Sequence, residues 1–279
     1  MSRTAAAGTP QRAHEPRRRL DSAEWQRAIA ELLAADDTDA ICAALIRAVD
    51  LVVEHEGTCL IAFHRNAPPE IIHHTIEPEG ARHYLDRYLA GPYLLDPLYQ
   101  LALGADKPTL CRFREQSPDR FRSSEYYRQY CERTHLLDEM DFLLEVHEAT
   151  TLALVVGRRK RRFTKAELGR LRLIEPVVRA AMQKAWERQS RAGATRRAGD
   201  ALHRRLTDCF ENFGDGLLTE REREITQLLL RGHSAKSVAR ELGIAPGTVM
   251  VHKRNLFAKL GISSQYALFS RFIEDLSRR

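Results

Sequence analysis

Apolar residues recur along this 279-residue chain with two different periods, and each change of period marks an element. Between Ser22 and Glu54, Trp25, Ile29, Leu32 and Leu33 fall on one stripe at helical spacing, and Ile41, Leu45, Val49 and Val52 fall on a second. This predicts two amphipathic helices. TCLIAF (Thr58 to Phe63) and EIIHHTIE (Glu70 to Glu77) read as strands around a loop holding Pro68 and Pro69. Ser117 before Pro118 predicts a helix through Tyr126, Tyr127 and Tyr130, after which FLLEVHE and TLALVVGR read as paired strands. Thr164 and Glu167 have the spacing of a capping box. They open a long helix to about Arg188 with Leu168, Leu171, Ile174, Val178 and Met182 inward and a kink expected at Pro176. Helices around a mostly antiparallel sheet predict an α+β domain over residues 20–188.

From Leu218 the period stays helical. Thr219 and Glu222 form a second capping box, Ile225, Leu228 and Leu229 give an inward stripe, and Gly232 ends the helix as a left-handed C-cap. Ser234 caps a short helix with Val238, Ala239 and Leu242 inward, and Gly243 turns the chain into a third. There Pro246 occupies the first turn, and Val249, Leu256 and Leu260 bury one face. Met250, Val251, Lys253, Arg254 and Asn255 lie on the others. After Gly261, Ser263 is placed to cap a fourth helix with Ala267, Leu268 and Phe272 in its stripe. The fold class is thus an α+β domain, an antiparallel sheet flanked by helices, followed by an all-α four-helix helix-turn-helix domain over 217–279.

This closing segment, Leu218 to about Ile273, resembles the DNA-binding domain of the LuxR (GerE-type) family of bacterial transcription regulators. It carries the LT-x-RE-x-E opening, the G-x-S-x-K centre and the P-x-TV-x-x-H helix ending in KLG. The resemblance implies that the third helix lies in the major groove. Met250, Val251 and Arg254 then meet base edges, and Lys236, Thr248, Lys253 and Asn255 hold phosphates. Two positions depart from the family pattern. Met250 replaces a residue that is often cationic, so a thymine methyl is within its reach but a bidentate bond to guanine is not. Ala245 replaces the usual capping Ser, at a cost of about 1 kcal/mol unless Thr248 or water compensates.

The first domain is similar, more loosely, to the sensing domains that precede such DNA-binding domains, which have GAF- or PAS-like folds. Its sharpest hint is Tyr84, Tyr88 and Asp96-Pro97, which echoes the aromatic, Tyr and Asp-Pro pattern of autoinducer-binding members with Tyr in place of Trp and the spacing one residue short. Tyr84 and Tyr88 share a helical face and can wall a pocket, with Asp96 accepting from a ligand amide. A structural reading stands beside it: Asp96 before Pro97 is a good N-cap pair, and both rings can be core. Tyr93, Phe113 and Tyr127 are further pocket candidates, and Cys111 is a weaker one.

Charge supports the closing domain's role. From Leu217 onward there are eleven Lys or Arg against six Asp or Glu, so most of the chain's net +6 lies there. Residues 1–19, rich in Ala, Pro and Arg, read as a disordered basic tail, and 189–216 as a linker with a basic amphipathic piece around Leu202 to Phe210. No apolar run is long enough to span a membrane and no secretory signal opens the chain, so a cytoplasmic protein is expected. Five scattered cysteines read as reduced thiols. No catalytic motif is present; His73 and His74 point to opposite faces of a strand, and Cys131 and His135, though at i and i+4, lack an orienting third group. No cofactor, metal or catalytic residue is expected. The partners expected are double-stranded DNA, a small-molecule signal and a second copy of the chain, with a pseudo-palindromic operator. The alternatives are a ligand-independent regulator of the same family, or a cytosolic enzyme or interaction module with a basic tail; a phosphorylated receiver lacks its acidic cluster.

Overall fold

The computed structural model describes residues 20–76, 78–132, 135–147, 149–191 and 199–278. Two helices, α1 (Ala23–Ala34) and α2 (Thr38–Val52), open the fold, capped by Ser22 and Asp37, whose oxygens accept from the Trp25 and Ala40 amides at 3.2 and 2.8 Å. The helix stripes are as expected in α2, where Ile41, Leu45, Val49 and Val52 are buried. In α1 Trp25 and Leu32 are buried but Leu33 is 73% exposed. Leu33 sits a full residue step, about 100°, around the helix from Leu32, off the line that meets α2. The expected basic tail, residues 1–19, lies outside the described residues.

A five-stranded sheet follows, every pairing antiparallel, in the order β2-β1-β5-β4-β3. Its strands are β1 (Gly57–His64), β2 (Glu70–His74), β3 (Leu110–Arg112), β4 (Asp138–His147) and β5 (Thr150–Arg158). The second strand stops at His74, short of the expected Glu77, because Thr75 turns its hydroxyl back to accept from the Thr58 amide at 2.8 Å. Between β2 and β3 lie α3 (Pro78–Leu89), a 3-10 turn (Pro92–Leu95) and α4 (Pro97–Leu103), and after β3 comes the single turn α5 (Phe113–Gln116). The helix expected after Ser117 is absent. Ser117 closes α5, and the chain continues through a 3-10 turn (Phe121–Ser123) and one π turn (Tyr127–Cys131). Cys131 ends that turn and His135 follows at φ 55°, so the two do not share a helical face. Helix α6 (Lys165–Arg191) begins at the predicted capping box, with Thr164 N donating to Glu167 Oε2 at 2.9 Å and Glu167 N to Thr164 Oγ1 at 3.2 Å.

The sheet's alternation divides the first domain. Leu60, Ala62, Met140, Phe142, Leu144, Leu152, Leu154 and Val156 face α1, α2 and α6 in one continuous core. The intervening residues face α3 and α4.

Helix α7 (Gly199–Glu211) lies within the 189–216 stretch and is followed by α8 (Glu220–Leu230), α9 (Ala235–Glu241), α10 (Pro246–Leu260) and α11 (Gln265–Arg278). The buried side chains Ile225, Leu229, Val238, Val249, Leu256 and Leu268 form the centre of this helical unit. From α7 and its C-terminal extension, Phe210 and Phe213 meet Phe272 of α11 edge-on, ring centroids 5.6 Å apart. Among the described residues no helix is long and apolar enough to cross a membrane.

Candidate functional site

Helices α8 to α10 form by the local signals the sequence carries. Both halves of the Thr219–Glu222 capping box are present, and Lys259 Nζ reaches Glu222 Oε2 at 2.6 Å, tying the end of α10 to the start of α8. Ser234 Oγ accepts from the Ser237 amide at 3.1 Å. Gly232, Gly243 and Gly261 have φ of +97°, +63° and +66°, which only glycine adopts without strain. Ala245 caps α10 with no side-chain bond, and Thr248 does not supply one, since its amide bonds only the Ala245 carbonyl. The cap of α11 is Ser264, not Ser263: its Oγ accepts from the Ala267 amide at 3.0 Å, because α11 starts one residue later than expected.

On α10, Val249 and Leu256 point inward while Met250, Val251 and Arg254 are exposed within a sector of about 100°. Met250 and Val251 are 55% and 47% exposed, unusual for apolar side chains on a helix with a buried face available. Lys236, Thr248 and Asn255 are exposed as well. Lys253 is different. Its ammonium lies 5.2 Å from the Phe257 ring centroid, and partial burial, with Arg120 nearby, pushes its pKa down. Arg120 belongs to the first domain, so α10 sits within electrostatic reach of it.

The contact between the two parts is specific. The Arg120 amide donates to the Gly232 carbonyl at 3.1 Å and the Ser234 amide donates to Asp119 Oδ1 at 3.0 Å. A Cβ on Gly232 would lie 3.0 Å from the Phe121 Cα. Burial would raise the Asp119 carboxyl, but the Ser234 hydroxyl and amide outweigh it and lower its pKa. From α7, His203 accepts or donates at 2.7 Å to the Tyr93 hydroxyl, and Leu206 lies against Gly91.

The first domain holds two adjoining cavities of about 270 and 280 Å³. Tyr84, Asp96, Leu136 and Glu139 line both. One lobe is apolar, walled by Ile61, Phe63, Ile71, Leu85 and Val155; the other is aromatic, with Phe113, Phe121, Tyr126 and Tyr127. The expected trio meets here: the Tyr84 and Tyr88 rings stack at 6.3 Å, and Tyr88 donates to Asp96 Oδ2 at 2.8 Å. Asp96 serves both readings at once, since its Oδ1 also accepts from the Leu98 amide at 2.9 Å as the N-cap of α4. Burial raises its pKa to about 6 despite those two bonds. Phe113 and Tyr127 reach the aromatic lobe, whereas Tyr93 lies fully buried against Tyr99 and His203 and lines neither lobe. Cys111 is buried beside β4 and also lines neither. The sequence reading missed Glu139 and Asp141. Their signal was available as two carboxylates two residues apart in DEMDFLLEV, which a strand places on one face together with Leu143.

Comparison with known proteins agrees with this arrangement. The family model for bacterial regulatory proteins of the luxR family matches residues 216–271, which span α8 to α10 and the first half of α11. An HTH-type transcriptional regulator in the exeN 3' region of Aeromonas salmonicida is 31% identical over 157 residues, 54% of this chain and 80% of that protein. The monoamine regulon transcriptional regulator of Klebsiella aerogenes is 25% identical over 243 residues, 86% of this chain and 93% of that protein. The VqsR LBD domain from Pseudomonas aeruginosa shares the fold of the first domain, with a TM-score of 0.54 at 23% identity, covering 60% of this chain and 99% of that one. With residues 216–271 matched by the family model and a relative 31% identical covered for four-fifths of its own length, the chain belongs to the luxR family of bacterial regulatory proteins and is a DNA-binding transcriptional regulator.

Proposed function

We propose that residues 20–188 form a small-molecule sensor and 217–279 the DNA-binding domain, with 189–216 joining them, and that a homodimer in the cytoplasm addresses a pseudo-palindromic operator. The exposed sector of α10 carries the DNA assignment: Met250, Val251 and Arg254 read base edges there, flanked by Lys236, Thr248, Lys253 and Asn255 on phosphates. Arg254 is the one member of the trio able to make a bidentate bond to guanine, and Met250 favours a thymine methyl. Two copies related by a twofold axis would set half-sites about one helical turn apart.

Sensing is supported by the two-lobed cavity and its polar junction, with Tyr84, Tyr88 and Asp96 holding the ligand's polar end and Phe113 and Tyr127 its aromatic side. Tyr93 supports α7 instead of the ligand. Coupling follows from shared residues: Asp119 and Phe121 line the aromatic lobe and also touch Ser234 and Gly232 at the turn before α9. A ligand that binds one docking geometry better than another shifts the population by that difference.

Gel shifts against genomic fragments over a salt series test the reading. Arg254→Ala should lose discrimination among sequences, and Lys253→Ala should weaken all sequences alike and lower the salt slope by about one. An unchanged operator preference in the Arg254 variant removes that residue from base reading. Sedimentation of the full chain on and off a palindromic fragment tests the dimer.

A further inference from the structure

Within the sensor reading, on which this step rests, the cavity itself specifies the ligand's charge. Along the cavity face of the sheet, cross-strand neighbours form two rows: Gly57, Gly157 and Glu139 in one, Cys59, Val155 and Asp141 in the next. The first row leaves Glu139 beside two residues without side chains, and a Cβ on Gly57 would meet nothing within 4 Å. Over Gly157, directly across from Glu139, Leu136 takes that room, its Cδ2 2.6 Å from where a Cβ would be, so the open space lies one strand further, over Gly57. In the second row Asp141 is fully buried, and its side-chain hydrogen bond is to Glu139, which requires a proton on one of the two carboxyl groups. Asp96 completes the set from α4, lining both lobes as Glu139 does. The nearest buried cation, Arg112, faces the other side of the sheet and is held by Asp138 through Nε at 2.9 Å. Two carboxyl groups, Glu139 and Asp96, thus meet at the junction of an apolar and an aromatic lobe, with Asp141 buried behind Glu139 and lining neither lobe.

We propose that the ligand is an organic cation, a primary amine or an amidine on an apolar body, whose nitrogen sits between Glu139 and Asp96 while its body fills the lobe walled by Ile61, Phe63 and Val155. An ammonium supplies N–H donors and a charge in place of the proton that Glu139 otherwise shares with Asp141, and burial makes a lone buried carboxylate costly enough that its counter-charge sets affinity. A neutral amide or lactone offers at most one or two donors and no charge. A metal ion fits less well, since among the described residues no group of three or more His, Cys, Asp or Glu is spaced to hold one.

Proton exchange follows. Glu139 and Asp141 are both pushed up by burial first, with Asp96 and Asp138 adding to it; Glu139 raises Asp141 further while the hydrogen bond between them lowers Glu139, so at least one proton is shared between them near neutral pH. The other titratable groups facing them are Tyr84 and Tyr88 from α3, Cys59 from β1, Cys111 from β3, and Tyr126 and Cys131 beyond α5. All of these are raised by burial and stay neutral. Arg87, Arg159 and the half-buried Glu56 lie at the solvent side of the apolar lobe and the exposed Arg114, Arg122 and Asp119 at that of the aromatic lobe, where water screens them, and Asp138 is held by Arg112. A bound cation therefore displaces a proton, and affinity rises with pH up to about tenfold per unit across the window from about pH 6 to 8.

Calorimetric titration of the full chain tests this with three matched pairs, 2-phenylethylamine and 2-phenylethanol, octylamine and 1-octanol, benzamidine and benzamide, together with N-hexanoyl homoserine lactone and calcium chloride. At least one cation should bind at least tenfold tighter than its neutral partner and release a proton, seen as heat that changes with the buffer. Glu139→Gln, or Asp96→Asn if the first variant is poorly folded by circular dichroism, should bring that cation to the affinity of its neutral partner. Neutral compounds binding as tightly as the cations, the lactone binding while all three cations fail, or calcium binding in their place would overturn the cation proposal and leave a sensor cavity. Binding of none of the compounds would count against the sensor reading as well.

Discussion

The two faces of one sheet, built from alternate residues of the same strands, have opposite characters. On the face covered by α1, α2 and α6, apolar side chains pack without interruption and the buried ions are paired. Arg158 holds Glu167 through two bonds at 3.0 and 2.8 Å, and Arg112 holds Asp138. On the face toward α3 and α4 a cavity remains, lined by Asp96 and Glu139 with Asp141 buried behind Glu139, and no buried cation is paired with them among the described residues. The first face is arranged for stability. The second keeps polar groups incompletely satisfied, which is how binding sites differ from cores.

The largest expected effect comes from opening the packed face. Phe142→Ala should lower unfolding stability by about 3–5 kcal/mol, while Val155→Ala, whose side chain already borders empty space, should lower it by about 1 kcal/mol. Urea midpoints measure both. Equal losses would mean that the two faces are packed alike.

Next comes the buried pair. Arg158→Met leaves Glu167 without its strongest partner and should cost about 3 kcal/mol at pH 7. Burial alone would raise Glu167, but hydrogen bonds from Arg158, Arg161 and the Thr164 amide hold it far below the usual carboxylate range. A depressed carboxyl stabilises the fold above its unfolded pKa, near 4.5, and that contribution is lost as pH falls. The difference between parent and variant should therefore shrink between pH 5 and pH 2. A difference that stays constant with pH would assign the loss to packing against Phe163, whose ring centroid lies 4.0 Å from the guanidinium.

The open face should respond to pH with the opposite sign and a smaller amplitude. Its carboxyl groups are raised in the fold, so their contribution is whole below the unfolded values near 4 and is lost as pH rises through the folded ones, about 6 for Asp96 and higher for the other two. Asp141→Leu should then be nearly neutral at pH 5 and stabilising by about 1–2 kcal/mol at pH 8. Destabilisation at pH 8 would show that the hydrogen bond of Asp141 to Glu139 outweighs the cost of its burial.

The helix-turn-helix was readable residue by residue because its signals are local. Capping boxes, αL glycines and an i, i+3, i+4 stripe act within one or two turns, and the only slip there was Ser263 for Ser264. The region after Ser117 was misread as a helix for the same reason in reverse. Tyr126 and Phe121 are held by packing against distant elements, which overrides the local preference. Tyr84, Tyr88 and Asp96 could be found by pattern because helical spacing brings them together, whereas the meeting of Asp96 with Glu139 joins residues 43 positions apart.

The sequence by itself determined where helices start and stop, which residues of each strand face the same way, and that α10 presents Met250, Val251 and Arg254 outward, since these depend on backbone period and nearest neighbours. Only the tertiary structure decided that Gly57 and Gly157 lie beside Glu139, that Asp96 and Glu139 line one cavity, and that Asp119 and Phe121 touch both the cavity and the turn before α9. Those facts depend on strand register and helix docking, which long-range packing sets and no local spacing encodes.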